Sequence, residues 1–279
     1  MLPQPSRRAM LRLGVLAIAA KGSPSFAMAA AESQKKDMSI IHDSFPAQAA
    51  PLVREMVTVA HFNLNRVREL VTAHPALATA AWDWGFGDWE TPLGAASHMG
   101  NRPIAEFLIA HGAATTLFSA AMFGQLEVIR ALVAAQPGIQ RIRGPHSISL
   151  LAHARMGGDA ARPVFEYLER LGDADSEAPV PLSGAETAQL SGTYSLGAGE
   201  TNQIDVDGNT KPYAGKMYTW APQLNWTRRG TMTRPLFHLG GLAFYPGGAP
   251  AVRICFTVEE DKVAMAVSDG EIQVSAIRL

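Results

Sequence analysis

Cysteine is nearly absent from this chain. The single Cys255 excludes any internal disulfide, so the fold holds by packing alone whatever its redox compartment. Charge is also scarce, at 18% of residues, and basic charge scarcer still once position is considered. Arg7, Arg8, Arg12 and Lys21 all fall in the first 29 residues, which carry no acid. Without those four, 20 basic residues face 25 acidic ones. Such a chain lacks the basic face that phosphate binding needs, and nucleic acid is not an expected partner. No apolar run approaches the roughly 20 residues that cross a bilayer, so no membrane span is expected in the mature chain. Familiar reaction motifs are missing too: there is no H-E-x-x-H, G-x-S-x-G, phosphate loop, G-x-G-x-x-G or paired C-x-x-C. Ser33-Gln34-Lys35-Lys36 matches S-x-x-K but lies in a polar leader. Asp205-Val206-Asp207-Gly208-Asn209 opens like a calcium loop, yet its glycine comes two positions early and no later Glu is in register. A hairpin turn accounts for it better. The sequence therefore assigns no catalytic residue, no metal site and no cofactor.

What is present is a 47% hydrophobic chain of 279 residues, enough for two domains with their own cores. Ser6-Arg7-Arg8-Ala9-Met10-Leu11-Arg12 resembles the twin-arginine export consensus. The short apolar run Leu13 to Ala20 and the small-x-small triplet Ala27-Met28-Ala29 complete a cleavable signal. A signal over 1–29 and a flexible leader over 30–50 are expected, and with them a bacterial periplasmic or secreted location. The general secretory route is the alternative.

Between Pro51 and Asp175 a pattern repeats. Its clearest copy runs Thr91-Pro92-Leu93-Gly94-Ala95-Ala96-Ser97-His98-Met99-Gly100-Asn101, then Ile104 to Ile109, then His111-Gly112-Ala113. Thr-Pro suits a helix start, because proline is pre-set for the first turn and needs no N–H partner there. The Ala-Ala pair lets helices approach closely, and Gly100 turns the chain into a second helix. The stretch Thr115 to Ile129, around Gly124, matches almost position for position, while copies around Asn63 and Gly157 are weaker. These motifs resemble the ankyrin repeat, although only the Gly124 to Gly157 interval has its period of about 33 residues. The resemblance implies about four stacked helical pairs over 51–175. It also implies that finger loops and first-helix residues make the binding contacts.

Asp173 to Pro181 breaks the pattern with prolines and acids, and residues 176–188 read as a linker. From residue 189 the period becomes two, with nine candidate strands from Gly192–Leu196 to Ile272–Ile277. A small antiparallel β-barrel or sandwich is expected over 189–279, weakly resembling the small β-domains appended to β-lactamase-like hydrolases. The fold class is thus α+β and multidomain, a helical ankyrin-repeat stack followed by that β-domain.

The least ordinary stretch is Trp82-Asp83-Trp84-Gly85-Phe86-Gly87-Asp88-Trp89-Glu90. It falls where an ankyrin finger would project. Exposed aromatics beside a few polar groups are what binding hot spots use, whereas tryptophans folded back over the first repeat would simply cap its core. Trp82, Asp83, Trp84, Phe86, Asp88, Trp89 and Glu90 are the candidate partner-binding residues, with His61, His98 and Met122 on the helix face. His61 and His98 hold the same slot in consecutive repeats, but helices pack roughly 8–10 Å apart, so a shared ion would need both rings to lean inward. A metal or acid–base site from His98, Asp83, Asp88 and Glu90 is the sharper alternative. His146 and His153 read as two repeats away. Trp220, Trp226, Arg228, Arg229 and Arg234 read as core tryptophans with solvated arginines, and Cys255 as outward with Arg253 and Thr257. The expectation is an exported protein-binding scaffold or accessory factor whose partner is another, co-exported protein. The alternative is a ligand carrier or hydrolase-like enzyme with its site in the β-domain or between the domains.

Overall fold

Side chains that accept from backbone N–H groups fix most helix starts. In the computed structural model, which describes residues 46–175, 180, 182–197, 200–206, 210–213, 216–219, 224–229, 231–260 and 262–279, helix α1 (Ala50–Val59) opens on a proline. Asn63 caps α2 (Leu64–Ala73) by accepting from the Arg66 N–H. Thr91 does the same for α3 (Pro92–His98) and Asn101 for α4 (Arg102–Ala110). Thr116 and Ser119 form a reciprocal box on α5 (Leu117–Phe123), which leads through Gly124 into α6 (Leu126–Ala135). Ser149 caps α7 (Leu150–Met156), followed by α8 (Arg162–Leu171). Each cap is worth about 0.5–2 kcal/mol. Helices this short still depend on packing, and successive helices pair: α1 with α2, α3 with α4, α5 with α6, α7 with α8.

The pairs do not stack in a simple row. In a regular repeat array each unit touches only its neighbours. Here α3 contacts both α5 and α7, which brings the fourth pair back against the second. Two apolar clusters fill the layer, one around Met56, Leu93, Ile104 and Leu108 and one around Ile129, Leu150, Val164 and Leu168.

The stretch read as a linker carries a further helix, α9 (Gly184–Leu190), set by a reciprocal Ser183–Glu186 box. Its Leu190 is fully buried in the core of the following sheet and accepts from the Tyr194 hydroxyl at 2.6 Å. The nearby prolines and acids masked that seven-residue helix in the sequence.

Two short strands, β1 (Trp82–Asp83) and β2 (Trp89–Glu90), sit within the helical region. After α9 come β3 (Gly192–Gly197), β4 (Glu200–Val206), β5 (Thr210–Tyr213), β6 (Lys216–Thr219), β7 (Leu224–Arg228), β8 (Thr233–Gly240), β9 (Ala243–Pro246), β10 (Arg253–Glu259), β11 (Lys262–Asp269) and β12 (Ile272–Arg278). All pairings are antiparallel, so the chain is α+β. The curled sheet runs β10-β11-β12-β3-β4-β7-β8-β9, and β9 returns to β10 through Ile254–Phe244 and Cys255–Ala243. The hairpin β5-β6 stands apart. β5 was not expected, because Pro212 interrupts its pattern. The inner face is filled by Tyr194, Leu224, Trp226, Phe244, Phe256 and Met265. Cys255 is exposed on the other face, as its alternation with Ile254 and Phe256 requires.

Helical region and sheet belong to one compact unit, Gln48–Leu279. Among the described residues no helix is long and apolar enough to cross a membrane. The expected signal, most of the leader, Ser33–Lys36, Trp220 and the Asp207–Asn209 turn lie outside the described residues.

Candidate functional site

The 82–90 loop is a tight hairpin. β1 and β2 pair Trp82 with Glu90 and Asp83 with Trp89. Its tip, Gly85-Phe86-Gly87, holds three successive positive φ angles of 109°, 59° and 75°, and the Asp83 carboxylate accepts from the Gly85 N–H. Alternation along β2 sends neighbours to opposite sides. Trp89 is 61% exposed, whereas Asp88 and Glu90 are 3% and 1% exposed.

The inward side meets four histidines. His146 Nδ1 lies 2.8 Å from Asp88 Oδ2, the His146 backbone N–H donates to Asp88 Oδ1, and His146 Nε2 lies 3.3 Å from Glu90 Oε2. Glu90 Oε2 also accepts from Trp84 Nε1 at 2.8 Å. His61 Nε2 is 3.7 Å from Glu90 Oε2, and His98 Nδ1 is 3.6 Å from Glu90 Oε1. Ring centroids separate His98 from His61 by 4.9 Å, from His146 by 5.6 Å and from His153 by 6.3 Å. His146 and Ser147 both take positive φ, 59° and 61°, a strain of order 1–3 kcal/mol each that surrounding bonds must hold. Asp88 holds His146, and Ser147 Oγ accepts from the Gly248 N–H at 2.8 Å.

Asp88 also binds the sheet. Arg234 of β8, 4% exposed, donates through Nη1 to Asp88 Oδ2 at 2.8 Å and to the Gly247 carbonyl, and through Nη2 to the carbonyls of Trp84 and Gly85. Phe86 lies 5.9 Å from the Trp226 ring. The loop is therefore fastened between the helical layer and the sheet.

Ionisation follows this geometry. Burial would raise the Asp88 carboxyl, but its bonds to His146, with Arg234 behind them, hold it below the usual range. Burial likewise opposes charge on His146, yet Asp88 and then Glu90 outweigh it and raise the ring to about 9. His98 is driven well below its ordinary value first by burial and then by the His61, His146 and His153 rings packed around it, which oppose a further positive charge. Burial lowers His153 to about 4. One charged imidazole thus sits beside two held neutral.

Seven residues were expected in the loop and three on the helix face. Trp82, Asp83 and Trp84 are partly buried, Phe86 and Trp89 exposed, and Asp88 and Glu90 enclosed. His61 keeps a side chain 20% exposed, while His98 is 3% and Met122 0% exposed. Met122 is core and presents nothing to a partner, and the enclosed His98, Asp88 and Glu90 face one another. Arg234 is not solvated as expected, whereas Arg228 and Arg229 are exposed. The rings of His61 and His98 do lean together. His146 and His153, read as two repeats away, join them because α7 packs directly on α3. No protein-family model, curated protein or solved structure matches this chain.

Proposed function

We propose that this is an exported binding protein, an irregular relative of the ankyrin-repeat stack joined to a small β-barrel, that presents the outer face of its 82–90 loop to another, co-exported protein. The observation that carries this reading is Trp89, with 61% of its surface in water between two residues almost wholly enclosed. A large indole on a backbone fastened at both sides loses little entropy on binding, which is how aromatic anchors contribute to interfaces. Phe86 extends the same loop, and Trp82 walls an open cleft of about 490 Å³ with Arg54, Glu55 and Val59 of α1. His98, Met122, Asp88 and Glu90 act in this reading by holding the loop, not by touching the partner.

The test immobilises the full chain and its Trp89→Ala variant and exposes both to periplasmic extract. The reading expects a stoichiometric protein on the parent surface that Trp89→Ala loses without a change in melting temperature. The same retained proteins on both surfaces would overturn it.

A further inference from the structure

Several polar atoms in the cluster lack partners where burial makes that costly. Glu90 Oε1, both ring nitrogens of His98 and His153 Nε2 are buried and accept or donate no hydrogen bond. An unsatisfied buried polar group costs about 1–3 kcal/mol, and such orphans gather here around one point.

The tautomers sharpen the picture. His61 Nδ1 lies 3.0 Å from the carbonyls of both Val57 and Thr58. A carbonyl only accepts, so Nδ1 carries the hydrogen and Nε2 of the neutral ring carries the lone pair. That lone pair faces Glu90 Oε2, an acceptor, at 3.7 Å. His153 repeats the device, with Nδ1 on the Ser149 carbonyl at 2.8 Å and a bare Nε2. At this partly exposed edge of the cluster, two facing acceptors repel unless a proton or a metal ion lies between them.

We propose that His61, Glu90 and His98 bind a divalent first-row transition-metal ion, of the class to which Zn²⁺ belongs. One ligand atom from each lies within 4.8 Å of the others. Zinc holds nitrogen and oxygen at about 2.0–2.2 Å, which spaces the atoms of a tetrahedral shell about 3.3–3.5 Å apart. The 3.6 Å from Glu90 Oε1 to His98 Nδ1 is therefore close to a formed shell, and His61 Nε2 lies 3.7 Å from Oε2, the other oxygen of the same carboxylate. Two imidazoles and one carboxylate suit zinc-class ions better than Ca²⁺ or Mg²⁺, which need more oxygens. The outer partners of a metal site are also present. Backbone carbonyls hold His61 Nδ1, and Trp84 Nε1 and His146 hold Glu90 Oε2, so that Oε1 remains for the ion. The ion closes the hairpin at Glu90 while Arg234 closes it at Asp88. This inference is independent of the partner reading, and metal uptake without a partner would sustain it alone.

The full chain, purified without a metal-affinity step and stripped with chelator, is titrated with Zn²⁺ by calorimetry at neutral pH. Co²⁺ absorption reads the geometry. One equivalent of Zn²⁺ should bind, and Mg²⁺ or Ca²⁺ should not replace it. Glu90→Gln and His61→Ala should each weaken Zn²⁺ by more than about 100-fold, and Trp84→Phe by the 10–100-fold that outer partners contribute. His111→Gln, which alters an exposed ring on α4's far end, should change nothing. His61→Ala alters a part-exposed ring and serves as the reading if Glu90→Gln does not fold. Absence of saturable Zn²⁺ uptake by the folded parent, or equal uptake by parent, Glu90→Gln and His61→Ala, would overturn the proposal.

Discussion

The helical region and the sheet bury different chemistry. Among the described residues, the helical side encloses Asp88, Glu90, His98 and His153, four titratable groups around one hairpin. The sheet encloses Tyr194, Phe244, Trp226 and their neighbours, and its buried Arg234 is directed at the hairpin opposite. Burying a charge is costly unless it is paired, so a fold concentrates such groups where something besides stability depends on them. The sheet serves here as a rigid wall, and the hairpin is what it supports.

The comparison breaks most directly at Asp88. Removing one partner of a buried pair costs about 3–5 kcal/mol, and Asp88→Ala would strand both Arg234 and the charged His146. Phe244→Ala in the sheet core should cost a similar 3–5 kcal/mol or so. Urea unfolding followed by circular dichroism checks both. A junction worth much less than the core would refute the fastening role of Asp88. Gly248→Ala comes next. At φ +82° a Cβ would lie 2.2 Å from Asp88 Oδ2, so strain alone implies about 1–3 kcal/mol, read as a lower urea midpoint.

Acidity separates the two regions in a different way. For His98 and His153 the folded value lies below the unfolded value of about 6.5, so the unfolded chain binds more protons as pH falls through that range. Stability of the metal-free chain should therefore decline from about pH 6.5 toward pH 4. His146 is the reverse case. With a folded value of about 9, its contribution is complete below about pH 6.5 and lost as pH rises through 9. Melting temperature against pH should peak near neutrality, with His153→Gln flattening the acid limb and His146→Gln the alkaline one. Smallest of all, Trp89→Ala should shift stability by less than about 0.5 kcal/mol, because the indole leans on water.

The helix starts were readable because caps are local. Thr91, Asn101, Thr116 and Ser149 each sit where a side chain must meet an N–H three residues on. The strands from β10 to β12 were readable because period two is unbroken there. The cluster was only partly readable. Its carboxylates and His98 stood out as an unusual group, and His61 by its slot, but a linear stack put His146 and His153 out of reach. What joins them is the contact of α3 with α7, a tertiary choice that no local pattern encodes. Arg234 was misread because an arginine within a strand pattern gives no sign of a carboxylate 146 residues earlier in the chain.

Nitrogen-15 NMR of the imidazole rings in the metal-free full chain at neutral pH tests the convergence of these side chains most directly. The account predicts a hydrogen on Nδ1 of both His61 and His153, a bare Nε2 on His153, and His146 protonated on both nitrogens. Rings of His61 and His153 carrying their hydrogen on Nε2, with a singly protonated His146, would contradict it.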